Sequence, residues 1–206
     1  MIDPIVLLAF LPAALALNLT PGADMLFCLA QGTRGGAPSA LAASAGISTG
    51  AMIHVTIAGL GLGAVIARYP VAFDLIRYAG VAYLVWLAVR TLRSPIGVSD
   101  RVVAYPRRAF RDGLIVNLTN PKVVLFILAF VPQFVDPTKA VLPQFLVLGS
   151  MIALGGFLVN GAVGVFAGGI GRQIARNPVV ERVLRMVTAT IFGALAVRLA
   201  LEGRKA

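Results

Sequence analysis

Two long stretches without a single charged residue restrict what this chain can fold into more than any other feature. Residues 37–67 and residues 140–171 contain no Asp, Glu, Lys or Arg, and each is longer than the roughly 20 residues that a helix needs to cross a bilayer. Inside a bilayer every backbone polar group must be paired within the protein, so such segments cross as helices. The sequence therefore predicts an all-α polytopic membrane protein, surrounded by lipid bilayer.

The composition supports this class and excludes others. The chain of 206 residues is 59% hydrophobic and 13% charged, with a mean hydropathy of +0.91, whereas soluble domains carry about 25% charged residues. A net charge of +10 would suggest nucleic-acid binding in a soluble protein. Here the cations cluster between apolar runs, as the positive-inside bias produces. We therefore predict no nucleic-acid partner, and the single cysteine, Cys28, excludes an intramolecular disulfide.

A polar stretch interrupts the first apolar run and recurs in the second half of the chain. Asn18-Leu19-Thr20-Pro21-Gly22-Ala23-Asp24 is matched by Asn117-Leu118-Thr119-Asn120-Pro121-Lys122, and Asn, Leu and Thr coincide when the two are aligned. Proline removes a backbone donor and glycine loosens a helix, so we expect the backbone to unwind at both places. Two broken helices at matching positions in two halves point to the binding site of a transporter.

The repeat extends beyond these breaks and predicts the architecture. Leu87-Ala88-Val89-Arg90 recurs as Leu195-Ala196-Val197-Arg198. We predict one transporter domain, 1–206, with about six transmembrane helices in two three-helix repeats, 1–93 and 112–206, the first helix of each repeat being broken. Three spans per repeat is an odd number, so the second repeat is inverted relative to the first. The predicted segments are about 5–30, 38–67 and 71–92, then 113–135, one within 140–171, and 179–201.

The positive charges orient these spans. The connection 94–111 is polar and carries Arg101, Arg107, Arg108 and Arg111. Because Lys and Arg concentrate on the cytoplasmic side of a membrane protein, we predict that this loop is cytoplasmic and that both termini lie outside.

Three ionisable residues fall inside the predicted spans: Asp24, His54 and Lys122. An ionisable group in a bilayer is expensive, so each is a functional candidate by default. Asp24 is interpreted as a proton-binding carboxylate, as the N-cap of the helix after Gly22, or as both. Lys122 is either a counter-charge to a carboxylate or a structural ion-pair partner of Asp24. His54 is either a site residue or a hydrogen-bonded interhelical residue, and one His does not make a metal site.

The broken helices also offer backbone groups. A helix that starts after Pro21 or Pro121 presents unpaired N–H groups and a positive dipole end, which suits a carboxylate. Unwound carbonyls, with Asn18, Asn117 and Asn120, suit an ammonium group, so a zwitterion would satisfy both. No catalytic residue, metal or cofactor is predicted. The predicted substrate- and ion-binding residues are Asn18, Thr20, Pro21, Gly22, Asp24, His54, Asn117, Asn120, Pro121 and Lys122.

Further motifs follow one another in a fixed order along the chain. They are Thr20-Pro21-Gly22-Ala23-Asp24, Gly46-x3-Gly50-x3-His54, Gly80-x2-Tyr83-Leu84, Phe110-Arg111-x-Gly113-Leu114-x2-Asn117, Asn120-Pro121-Lys122, Phe130-x-Pro132-Gln133-Phe134-Val135-Asp136 and Arg198-Leu199-Ala200. In this order they resemble the LysE/RhtB family of bacterial amino-acid exporters over nearly the whole chain. The resemblance implies multi-pass insertion in the bacterial inner membrane and export of amino acids or their derivatives in exchange for protons. Where the family commonly has a second proline this chain has Ala23, so the unwinding there is expected to be milder.

Two alternatives stay open at this point. An exporter of another small metabolite or ion would share the architecture, although a metal exporter would need an additional carboxylate or thiolate cluster in its spans. An intramembrane enzyme would use Asp24, His54 and Lys122. The sequence contains no Walker A motif, so ATP-driven transport within this chain is not expected. We predict a transporter and not an enzyme, leaving open which amino acid it carries and whether it forms a homo-oligomer.

Overall fold

A computed structural model describes residues 2–68, 106–168 and 178–201, together with positions 78, 81, 82, 85, 86, 88, 89, 92 and 93. All regular secondary structure within these residues is helical, as predicted. Most of the predicted third span, 71–92, and residues 94–105 of the predicted loop lie outside the described residues. The longer elements are α1 (Pro4–Leu19), α2 (Ala23–Arg68), α3 (Pro106–Leu118), α4 (Pro121–Ala129), α5 (Val141–Val165) and α6 (Pro178–Leu201), with 3-10 turns at Val131–Phe134 and Phe166–Gly168.

The first break separates α1 from α2, where the sequence predicts it. Asp3 caps α1 because its Oδ1 accepts a hydrogen bond from the Ile5 backbone N–H at 2.8 Å, one of the donors that a helix start leaves unpaired. The last residue of α1 is followed by Thr20 in an extended conformation (φ −66°, ψ 117°). Pro21 comes next, which disfavours helical backbone before it and has no N–H to continue the ladder. The helix resumes at Ala23, so the break forms without a second proline.

The second break separates α3 from α4. Asn120 is extended (φ −82°, ψ 105°), and its side chain accepts a hydrogen bond from the Lys122 backbone N–H. With Pro121 as the first helical residue, this is a favoured helix start. The axes on the two sides of the break differ by 53°. The helix before the break already includes residues 106–112, ahead of the span that is predicted to start at about Gly113, because arginines are good helix formers.

Between residues 30 and 38, where the sequence predicts the connection between the first two segments, α2 has a kink. Two helical segments meet at Gly36, the one non-helical residue inside α2, with φ 69° and ψ −172°. Glycine adopts such a positive φ without steric penalty. Pro38 then suits the start of the second arm. The helix therefore consists of two arms, residues 23–35 and 37–68.

Glycines let α2 approach α3 and α5 closely. A Cβ on Gly46 would lie 2.0 Å from the carbonyl oxygen of Phe110 in α3, and a Cβ on Gly32 would lie 1.8 Å from the carbonyl oxygen of Gly164 in α5. Only glycine fits at these crossings, so the helix backbones touch there. Small residues at close crossings are typical of membrane helices.

An aromatic cluster holds α1 against α4 and the turn that follows it. The Phe10 ring centroid lies 5.1 Å from that of Phe134, in an edge-to-face arrangement, and 6.3 Å from that of Phe130. Phe126 lies 5.0 Å from Phe130. Such pairs add to the stability that burial of the rings provides. The cluster therefore packs α1 against the end of α4 and the turn after it.

By length and apolar character, two described segments can cross a membrane, Ala23–Gly61 and Val141–Val165. The bent pair Pro106–Leu118 and Pro121–Phe134 is a third if it counts as one span, whereas α1 is apolar but shorter, with 16 residues. Large apolar side chains such as Leu8, Leu154 and Val197 are exposed, as expected of faces that contact lipid. The arrangement of six spans in two inverted repeats remains a prediction.

Candidate functional site

A small cavity lies between the two helix breaks. It brings together five of the predicted residues: Asn18, Thr20, Asp24, Asn117 and Lys122. The volume open to the centre of a water molecule is about 20 Å³, which is room for a water molecule and far too little for an amino acid. The other lining residues are Leu17, Met25, Ile47, Ser48, Ala51, Val123, Ile152, Ala153, Gly156 and Asn160.

Asp24 connects the first break to the second. It is buried in the first turn of α2, and its Oδ2 accepts a hydrogen bond from Asn117 Nδ2 at 2.9 Å. Among the described residues, neither Asp24 Oδ1 nor Asn117 Oδ1 has a hydrogen-bond partner, although both atoms are buried. The Asn120 amide is close enough to interact with the carboxylate, but its Nδ2 does not reach hydrogen-bond geometry with any described group. Unpaired buried acceptors favour the binding of a donor, such as a proton or an ammonium group.

Lys122 ties the second break to the end of α1. Its Nζ donates hydrogen bonds to the carbonyl oxygens of Leu17 and Thr20, both at 3.0 Å. The helical partner of the Leu17 oxygen would be the N–H of residue 21, which is a proline and has none. Lys122 thus supplies the missing donor, and its charge is favoured at the negative end of a helix dipole.

The charges of Lys122 and Asp24 also interact, and whether the two form the ion pair considered from the sequence stays a prediction. Gly22 leaves space for the lysine, since a Cβ there would lie 3.3 Å from Nζ. The lysine therefore serves both as a nearby positive charge for the carboxylate and as the donor that completes α1.

Asn18 connects α1 to α5. Its Nδ2 donates to the Ile152 carbonyl oxygen at 3.1 Å. Two glycines make room for this amide, because a Cβ on Gly155 would lie 2.7 Å from Asn18 Nδ2 and one on Gly156 would lie 3.1 Å from Oδ1. Thr20 instead donates its hydroxyl to the Ala16 carbonyl of its own helix. One of the two N–H donors of the Asn18 amide is therefore used in joining α1 to α5.

The other five predicted residues do not line the cavity: Pro21, Gly22, His54, Asn120 and Pro121. The prolines shape the breaks, and the asparagine caps α4. The His54 Nε2 lies 3.3 Å from the backbone oxygen of residue 117, and this contact needs a proton on Nε2 because a carbonyl cannot donate. This is the interhelical role considered from the sequence, and a direct part for His54 in transport remains a prediction.

Two polar residues of the cavity were missed by the sequence prediction, Ser48 and Asn160. Ser48 Oγ donates to the Ala153 carbonyl oxygen at 2.9 Å, and Asn160 is 4% exposed. Both lie in the two stretches without charge. Their polarity inside a predicted span was the available signal, but within those stretches the prediction considered only ionisable groups.

Residues 46–50, Gly-Ile-Ser-Thr-Gly, match the pattern of a hydrolase nucleophile elbow. That motif requires a sharp turn from a strand into a helix, whereas here the segment lies inside α2. Its glycines face Phe110 and Asn117, so helix packing accounts for the pattern. In the part of the chain that the structure describes, no three His, Cys, Asp or Glu side chains converge on a metal-binding position.

Comparison with known proteins places this arrangement among transport proteins. The sequence matches the LysE type translocator family over residues 15–203. An uncharacterized membrane protein of Vibrio cholerae is 32% identical over 189 residues, 90% of this chain and 92% of its own length. A homoserine/homoserine lactone efflux protein of Salmonella typhi is 35% identical over 144 residues, 68% of this chain and 70% of its own. A leucine efflux protein of Klebsiella pneumoniae is 32% identical over 133 residues, 63% of each chain. No solved structure matches the chain.

Proposed function

The chain belongs to the LysE type translocator family, and we propose that it exports amino acids or their derivatives across the bacterial inner membrane in exchange for protons. The names of the efflux relatives specify homoserine, homoserine lactone and leucine, which favours a small amino-acid cargo. The two helix breaks, one in each half, support six spans in two inverted repeats. The arginines of residues 94–111 support a cytoplasmic position for that segment. On this proposal the protein is a carrier and not an enzyme.

The observation that carries the proposal is the pair of unpaired acceptors where the two breaks meet. Asp24 Oδ1 and Asn117 Oδ1 are buried without a described donor. A proton on the carboxylate removes both an unpaired acceptor and a buried charge, and a substrate ammonium group satisfies the same oxygens. Proton and substrate then compete for one site. Competition of this kind is sufficient to exchange one for the other across a membrane if only an occupied carrier changes its orientation.

A zwitterionic substrate also finds partners for its carboxylate. Asn120 Nδ2 is a buried donor without a described partner, and Lys122 is a cation beside it in the sequence. A substrate carboxylate would draw Lys122 away from the α1 carbonyls that it now holds. Substrate binding would thereby loosen the end of α1, which links binding to the opening of the cavity.

Opening is required because the cavity is too small for an amino acid in this conformation. Rocking of one repeat against the other would open it to each side in turn. The sequence offers no nucleotide-binding motif, so the energy comes from a gradient. Asp24 is the leading proton carrier, since a carboxyl group can bind and release a proton where Lys122 and the asparagines provide countering charge and hydrogen bonds.

Everted membrane vesicles test the proposal. With respiration driving protons inwards, vesicles containing the protein should accumulate homoserine, threonine or leucine, and a protonophore should abolish the accumulation. Asp24→Asn keeps the size and removes the charge, so it should abolish accumulation at an unchanged amount of protein in the membrane. Asp136→Asn is the matched control, because Asp136 is an exposed carboxylate outside the spans, and it should transport normally. Accumulation that persists without a gradient would mean facilitated diffusion and would exclude coupling through Asp24.

A further inference from the structure

Asn160 is an unused hydrogen-bonding group in the cavity wall. It lies on α5, is 4% exposed and lines the cavity. Within the described part of the chain no hydrogen bond to its side chain is present. An amide group that lines a cavity without a partner in the protein can form hydrogen bonds with a molecule that enters the cavity. Its donor and its acceptor are therefore available to a molecule in the cavity.

The neighbouring polar groups differ from Asn160 in this respect. Asn18 and Ser48 donate to the α5 carbonyls of Ile152 and Ala153, and these contacts hold the helices together. Among the lining residues that α5 contributes, Asn160 is the one with a polar side chain. The remaining surface there is apolar or backbone.

Helix α5 runs parallel to the chain that passes through the first break. Gly155 faces Asn18, and Gly164, more than two turns further on, faces the carbonyl of Cys28. In both cases a Cβ on the glycine would lie 2.7 Å from the partner atom. Residue numbers on α5 therefore rise together with those of the facing chain.

This register sets Asn160 opposite Asp24. Asn160 lies one turn before Gly164, and Asp24 lies one turn before Cys28, so the two residues line the cavity at the same level from facing helices. A zwitterion held at its ammonium end by Asp24 directs its side chain across the cavity towards α5. The charged groups on one side of the cavity bind the ammonium and carboxylate groups that all amino acids share. The α5 side contacts the side chain, which differs from one amino acid to another.

We propose that Asn160 hydrogen-bonds the side chain of the substrate, so that the protein prefers small amino acids with a hydroxyl or amide group over apolar amino acids of the same shape. This inference rests on the proposed export function. A site that offers a buried hydrogen-bonding group discriminates against an analogue that leaves the group unpaired. One hydrogen bond of ordinary strength corresponds to about a tenfold preference.

Two pairs of substrates with matched shapes test this in everted vesicles: threonine against valine, and homoserine against norvaline. Wild-type protein should transport the hydroxylated member of each pair about tenfold better, measured as the ratio of initial uptake rates. Asn160→Leu, of similar size, should bring both ratios close to one and should retain uptake of valine and norvaline. Asn160→Ala removes the amide without adding bulk and should do the same. Thr49→Val is the control, because Thr49 is outside the cavity and its hydroxyl bonds only within its own helix.

The outcomes separate this inference from the proposed function. Ratios near one in the wild type, or unchanged wild-type ratios in both Asn160 variants, would show that the amide does not select the substrate, while export itself would stand. Uptake of none of the four compounds or of any other amino acid by the wild type would overturn the export function and this inference together. Ratios of initial uptake rates near one in both Asn160 variants, with wild-type ratios in Thr49→Val, support a hydrogen bond from Asn160 to the substrate side chain.

Discussion

Replacing Gly46 with alanine should force apart the two helices on which the site depends. The new Cβ would lie 2.0 Å from the Phe110 carbonyl oxygen and 2.9 Å from the Leu114 backbone nitrogen. Both atoms belong to the α3 backbone, so no side chain can rotate away, and the helices must separate by about 1 Å or more. Overpacking of this severity costs about 3 kcal/mol, offset by about 1 kcal/mol from the better helix propensity of alanine. The net loss of about 2 kcal/mol should lower the Tm by about 4–8 °C.

Gly61→Ala provides a matched control in the same helix. No atom lies within 4 Å of a Cβ at Gly61, so alanine should only restrict the unfolded chain and stabilise the protein by about 0.4–1 kcal/mol. The two variants therefore have opposite expected signs in thermal unfolding of the detergent-solubilised protein. Gly46→Ala should also weaken export, because Asn117 lies one turn beyond the displaced part of α3. If Gly46→Ala unfolds at the wild-type temperature, α2 and α3 are not packed as closely as the structure has them.

Three other predictions concern single side chains. Lys122→Met removes the donor that completes α1 and should abolish export with normal membrane insertion; wild-type rates in vesicles would show that the charge is dispensable. Gln31 is fully buried, and neither polar atom of its side chain has a described partner. Gln31→Met should therefore raise the free energy of unfolding by about 1 kcal/mol. A lower free energy of unfolding in this variant would show that the Gln31 amide has a hydrogen-bond partner. Hydrogen bonds from Thr138 and Lys139 lower the pKa of Asp136 to about 2. Because the folded state favours the charged form of Asp136, the stability that this carboxylate contributes is present above about pH 4 and is lost as the pH falls towards 2. A carboxyl ¹³C NMR titration that gives an ordinary pKa for Asp136 would contradict this prediction.

Local chemistry made the helix breaks predictable. Pro21 and Pro121 lack the N–H that a helix needs and restrict the residue before them, so their effect does not depend on what surrounds them. The helical conformation of residues 106–111 was missed because a cluster of arginines suits both a cytoplasmic loop and an exposed helical turn. The connection between the predicted segments 5–30 and 38–67 is shorter in the structure than in the prediction, since one residue, Gly36, is sufficient to redirect the helix.

The sequence by itself determined the class of the protein, the positions of its breaks and the polar residues near them, because these follow from the length of apolar runs and from the backbone chemistry of proline. Only the tertiary structure decided which groups meet. It paired Asn117 with Asp24, placed Lys122 on the carbonyls at the end of α1, kept His54 out of the cavity and set Asn160 into its wall. Such pairings depend on how closely and at what register helices pack, and that is set by glycines such as Gly46 and Gly155 acting on residues far away in the chain.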